Sequence, residues 1–205
     1  ASKATGYPIA RMAARIALGR KLAELPNPVT GTGSAMSEPA LDYVVVKMPR
    51  WPFDSFPQAD PGLGTKMKAT GEVLAIGTSF PQALMKAFRS LDGPDRVNDP
   101  HVLKLETDSL WKETERPTHR RIPAMMELLR SGIHPYFIAP LDKVIRMEKS
   151  IIQNEGIPGP EMVREAKNLG FSDSHIAFVA GTKPSEIYAV RKAGNIYPGY
   201  REVDG

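Results

Sequence analysis

The sequence predicts an α+β chain in which the end of a larger α/β domain is followed by an all-helical domain. Three observations carry this. Two β-rich apolar runs, "LDYVVVKMPRW" and "KMKATGEVLAIG", both lie before residue 80. Beyond Leu91 no segment reads as a strand, and helical patterns follow one another with Gly132, Gly156, Gly170, Gly181 and Gly194 at or after most of their ends. Between the two parts, "DGPDRVNDP" has the composition of a linker. The expected division is residues 1–92, a linker over 93–107 and a helical domain over 108–205.

Pro8 suits the first turn of a helix that places Ile9, Met12, Ala13, Ile16 and Ala17 on one face and stops at Gly19. A short turn over "KLAEL" follows, and "PNPVTGTGSAMSEP" is a loop because it consists of turn-forming residues. Val44, Val45 and Val46 form a strand of the kind covered on both faces, which Pro49 is expected to end. A proline- and glycine-rich connection from Pro52 to Gly64 leads into a strand over 66–77. A helix over 80–91 then follows, with Ser79 as its cap and Pro81 in its first turn. Later helices are expected over 118–131, 140–154, 159–169, 173–180 and 184–193. Two or three strands with two helices and long loops make a poor core alone, so the first part reads as the end of something larger.

Hydrophobic residues make up 41% and charged residues 24%, the balance of a globular chain rather than a disordered one. No apolar run approaches the ~20 residues of a membrane span, and the N-terminus lacks the separate charged and apolar regions of a signal peptide. A cytoplasmic setting is the expectation. The absence of cysteine excludes disulfides, thiolate metal sites and a cysteine nucleophile. The net charge of +4 lies wholly in residues 1–92, where 11 Lys and Arg meet 7 Asp and Glu; residues 93–205 carry 16 of each. Any anionic partner would therefore be sought on the first part.

Gly71 and Gly77 enclose five residues and are followed by Thr78, so they make no Walker A loop, and no G-x-G-x-x-G turn is present. His101, His119, His134 and His175 are too far apart in sequence for a helical ligand pair, and no G-x-S-x-G elbow supports hydrolysis. Lys47 and Arg50 flank a strand and could reach a phosphate, or simply be solvated. Glu72 could pair with Lys66 or Lys68, and Met67, Met85, Met125 and Met126 read as core fillers. "FSDSHIAFVAGTKPSEIYAVRKAG" has a helix-turn-helix pattern whose second helix, from Lys183, would present Ser185, Glu186 and Tyr188. The neutral second part argues against nucleic acid as its partner, because phosphate neutralisation supplies much of that affinity.

The blocks "ASKATGYPIARMAARIALG", "EPALDYVVVKMPRWPFDSF" and "LGTKMKATGEVLAIGTSFPQALMKAFRSL", in this order and separation, resemble the first half of the carbamoyl phosphate synthetase large subunit. They are similar to the end of its carboxyphosphate-forming ATP-grasp domain. From about residue 108, with "IPGPEMVREAKNLGFSDSHIAFVAG" and "IYPGYREVD", the chain resembles that family's helical oligomerisation domain. The resemblance covers nearly the whole sequence.

The resemblance implies the C-terminal portion of an ATP-grasp α/β domain, then an all-helical oligomerisation domain. It implies a glutamine-dependent ligase that makes carbamoyl phosphate from bicarbonate, ammonia and two ATP, with Mg²⁺, or Mn²⁺, as the metal. The implied partners are a small glutaminase subunit or domain, the rest of the large subunit, and further copies through the helical domain, with neither a membrane nor nucleic acid. Met67 and Glu72 match positions that line the family's carbamate passage, and the segment from Ser2 to Gly6 resembles the continuation of its phosphate-facing loop. The family's Glu-x-Asn-x-Arg block is absent from this sequence. The expectation is therefore an interior fragment, inactive alone, with no catalytic, cofactor or metal residues of its own. The alternative is a free-standing assembly or helix-turn-helix module.

Overall fold

The computed structural model describes residues 2–38, 40–91, 99–130 and 139–199. Helix α1 spans Ser2–Thr5 and α2 spans Ile9–Ala17, with Pro8 at the N-cap. The end of α2 follows from Gly19 in the left-handed region, which lets Gly19 N–H reach the Ile16 carbonyl and Arg20 N–H reach that of Arg15. A 3₁₀ turn occupies Leu22–Glu24. The loop beyond it is pinned by the Tyr7 hydroxyl, which donates to the Ala35 carbonyl at 2.7 Å.

Strands β1, Val44–Arg50, and β2, Gly71–Gly77, pair antiparallel with Val46 opposite Ala75 and Met48 opposite Val73. Three expectations are corrected here. Pro49 does not end β1: it lies inside the strand, opposite Glu72, where an edge position tolerates its missing N–H. The second strand starts at Gly71 rather than at 66, because the Lys68 ammonium is drawn back to the carbonyls of Asp60 and Gly62 and to the Asp60 carboxylate. Nor are both faces of the sheet covered. Helix α3, Phe80–Ser90, lies on the face that carries Val46, Met48, Val73 and Ala75, while Leu74 and Lys47 on the other are exposed. Ser79 holds the extended N-cap position but its side chain makes no capping bond; the Gln82 side chain instead accepts from Thr78 N–H at 2.7 Å.

After a 3₁₀ turn at Val102–Lys104 come α4, Thr107–Glu115; α5, Arg121–Arg130; α6, Ala139–Gln153; α7, Pro160–Asn168; α8, Asp173–Ala180; and α9, Pro184–Ala193. Five of these, α5 to α9, begin and end within three residues of the periodicity that predicts them. Helix α4 was not anticipated, since only Leu110 on it is buried and Trp111 stays half-exposed, which leaves no apolar stripe to read. Gly132 and His134 lie outside the described residues, as does most of "DGPDRVNDP".

One core joins the hairpin to the helices. Met48 and Ala75 from the sheet and Leu84, Met85 and Phe88 from α3 share it with Met126, Val144, Ile145, Val163, Phe171, Ile176 and Ile187. The contact depends on Gly170, whose φ of +91° ends α7 and whose absent side chain leaves room for α3: a Cβ there would stand 2.9 Å from the Gln82 carbonyl oxygen. The Arg89 guanidinium donates to the Gly170 carbonyl at 3.1 Å and ties the same two elements. Val102, Leu110, Ala124 and Leu128 form a smaller cluster, and Met12, Leu25 and Ala35 a third beneath α2.

Candidate functional site

Glu72 sits at the start of β2 on the open side of the sheet, where its carboxylate meets the Lys47 ammonium at 2.6 Å. The partner differs from the expected Lys66 or Lys68. In this register Lys47 is diagonal to Glu72 across the antiparallel pair, close enough for long side chains, while Lys68 is taken by Asp60 at 2.9 Å. Both members of the Lys47–Glu72 pair keep more than half of their side-chain surface in solvent. Met67, in the loop before β2, is 90% exposed, so it is not a core filler; Met85 and Met126 are buried as expected. The structure therefore brings Glu72 to Lys47 and leaves Met67 standing in solvent four residues before the strand.

The basic residues flanking β1 are engaged within the fold. Arg50 grips both carboxylate oxygens of Asp54 at 3.0 and 2.6 Å and also donates to the Trp51 carbonyl. The Asp54 carboxyl is held well below its ordinary pKa by the hydrogen bond from Arg50. At the N-terminal segment, Ser2 Oγ accepts from Ile9 N–H at 3.2 Å and Thr5 Oγ1 from Tyr7 N–H at 3.2 Å, so these hydroxyls stitch α1 to α2. The Tyr43 hydroxyl donates to the Ala4 carbonyl at 2.8 Å, which fastens that segment to the approach to β1.

The helix-turn-helix pattern exists as geometry, since α8 and α9 flank Gly181 in the left-handed region. Two of its expected reading residues, Glu186 and Tyr188, do other work. The Glu186 carboxylate turns back to accept from Lys183 N–H at 2.9 Å and from the Thr182 hydroxyl, which caps α9. Tyr188 lies beneath the Arg191 guanidinium, 5.5 Å from its ring centre. These are local contacts of α9 and the turn that precedes it.

Sequence reasoning missed a buried polar network. Glu148 on α6, 3% exposed, accepts from Arg130 at 2.8 Å and from His175 at 2.8 Å, and Arg130 also holds Glu127 at 2.7 Å. Burial raises the Glu148 pKa, yet the hydrogen bonds from His175 and Arg130 outweigh it and the net shift is downward. Asp173 is held the same way: burial opposes its charge, and Lys167 at 2.5 Å and Arg191 at 2.9 Å reverse the balance. The network joins α5, α6 and α8, and the spacing of its members in sequence, 130, 148 and 175, carries no local signal. Among the described residues no three His, Asp or Glu side chains converge as a metal site. No helix among them is long and apolar enough to cross a membrane.

Comparison with known proteins completes this picture. Residues 72–195 match the family described as carbamoyl-phosphate synthetase large chain, oligomerisation domain. Over its full length the chain is 44% identical to the carbamoyl phosphate synthase large chain of a Thermoanaerobacter species, of which it covers 20%. It is also 44% identical to the arginine-specific large chain of Bacillus subtilis, covering 21%. A third relative, the large chain, N-terminal section, of Methanopyrus kandleri, is 42% identical and 41% covered. The chain thus spans about one fifth of the large chains it matches, and the matched region starts inside β2, so it takes in α3 along with the helices that α3 packs against. On these grounds the chain belongs to the carbamoyl-phosphate synthetase large chain family and carries its oligomerisation domain.

Proposed function

We propose that this chain acts as an interior piece of a glutamine-dependent carbamoyl phosphate synthase, a ligase that uses two ATP to join bicarbonate and ammonia. The observation that carries this reading is identity of 42–44% along the entire chain to proteins of that name. Residues 1–92 would close the carboxyphosphate-forming ATP-grasp domain, residues 93–107 link, and residues 108–205 self-associate. The open face of the β1–β2 sheet supports the first assignment, because a hairpin with Leu74 in solvent is the kind of surface a further layer covers. The small glutaminase subunit or domain and the rest of the large chain are the partners in this reading.

Met67 and Glu72 are assigned to the carbamate passage. An exposed thioether and a carboxylate balanced by Lys47 give a wall on which a small anion is neither repelled strongly nor trapped. Phosphoryl transfer and the Mg²⁺ that serves it are assigned to the rest of the large chain. Alone, the 205 residues are expected to make no carbamoyl phosphate.

The test is Glu72→Lys in a full-length large chain carrying this segment, assayed for ATP consumed and carbamoyl phosphate formed. Reversing the charge places two ammonium groups side by side at the wall, and the expected result is continued ATP use with product lost. An unchanged ratio removes Glu72 from the passage.

A further inference from the structure

Five cationic side chains from three helices face one cavity of about 520 Å³: Lys86 and Arg89 of α3, Arg164 and Lys167 of α7, and Arg191 of α9. Among the described lining residues none is acidic. The carboxylates nearby are Asp173, shared by Lys167 and Arg191, and Glu161 at the exposed rim, 3.9 Å from Arg164. Positive charge is therefore in excess within the cluster.

These groups are held rather than waving in solvent. Lys86 donates to the Ile76 carbonyl at 2.9 Å, Arg89 to that of Gly170 at 3.1 Å, Arg164 to that of Gly194 at 3.1 Å and Lys167 to that of Phe171 at 3.0 Å. Carbonyls fix position without cancelling charge, and an arginine that uses one N–H keeps the rest of its fork for a ligand. Burial lowers the Lys167 pKa, and the guanidinium groups of Arg191 and Arg89 push it the same way against Asp173. A bound anion would relieve that repulsion.

We propose that this cavity binds a small phosphate-bearing anion, with Arg89 and Arg164 supplying forked contacts and Lys86 a point charge. A multiply charged phosphate matches the surplus of cations better than a single carboxylate does. The volume lies in the range of small-molecule sites, roughly 300–1,000 Å³, and Tyr197 gives it an aromatic wall. The inference is independent of the passage role given to Glu72, since the two sets of residues share no member.

The test is calorimetric titration of the 205-residue chain at low ionic strength with pyrophosphate and, separately, with succinate. Saturable pyrophosphate binding is expected, weakened about tenfold or more by Arg164→Gln, as loss of a charge-assisted hydrogen bond implies. Arg146→Gln, which removes an exposed charge on α6, should leave it unchanged, and succinate should bind at least about tenfold more weakly. Should Arg164→Gln lose its helical circular dichroism, Lys86→Gln carries the same comparison. Absence of saturation at millimolar pyrophosphate, equal binding by the variant, or equal binding of succinate overturns the proposal.

Discussion

The residues before β2 and the helices after residue 99 are stabilised in different ways. The helical region buries its large side chains completely, Phe171, Met126, Ile145 and Ile187 among them, and seals the Glu148 carboxylate inside. The earlier region has a three-residue cluster at Met12, Leu25 and Ala35, and it leaves Leu18 at 85% and Met67 at 90% exposure. Its ion pair at Lys47–Glu72 is solvated, whereas Arg130–Glu148 is nearly dry. The difference teaches where this chain keeps its stability. The helices, with α3 and one face of the hairpin, form a unit with its own core, and Met12, Leu25 and Ala35 cluster apart from it beneath α2.

The largest expected effect tests the dry network. Glu148→Ala leaves Arg130 and His175 facing each other without their shared acceptor, and a loss of about 3–5 kcal/mol is expected from urea unfolding followed by circular dichroism. A loss below about 1 kcal/mol would mean that water already enters the network. Next is Gly170→Ala, which combines a strained positive φ with a contact of 2.9 Å against Gln82. A cost of about 1–3 kcal/mol is expected, with faster hydrogen exchange in α3 as well as in α7. Exchange confined to α7 would separate α3 from the helical unit.

Acid should weaken the helical region through its held carboxylates. Glu148 and Asp173 have folded pKa values below their unfolded ones, so their contribution is complete above about pH 5 and is lost as pH falls through the folded values. The unfolding midpoint should therefore fall below about pH 4, and Glu148→Gln should flatten that dependence. The smallest effect is expected at Glu72→Gln, which removes a solvated pair and should change stability by about 1 kcal/mol or less, vanishing in high salt. A larger loss would show that the pair holds the hairpin together.

Much of this was legible in the residues because it is local. Pro81 and Pro160 in first turns, the positive φ at Gly19, Gly170 and Gly181, and the apolar stripes of α6 and α7 are each properties of a few consecutive residues. The family blocks were legible for the same reason. Glu72 was identified correctly as a paired carboxylate, but its partner was misassigned, since strand register decides it and register is a long-range fact. Helix α4 escaped because a helix that buries little leaves little periodicity.

The sequence by itself determined the α+β composition, the order of the elements, most of their ends and the membership in the family, since these follow from short-range propensity and from direct likeness. Tertiary structure alone decided that α3 serves the helical core, that Pro49 lies within a paired strand, and that Arg130, Glu148 and His175 meet. It also decided that five cations from α3, α7 and α9 line one cavity. The physical reason is that burial, Coulomb interactions and hydrogen bonds depend on distance in space, and residues far apart along the chain become neighbours only once the core has formed.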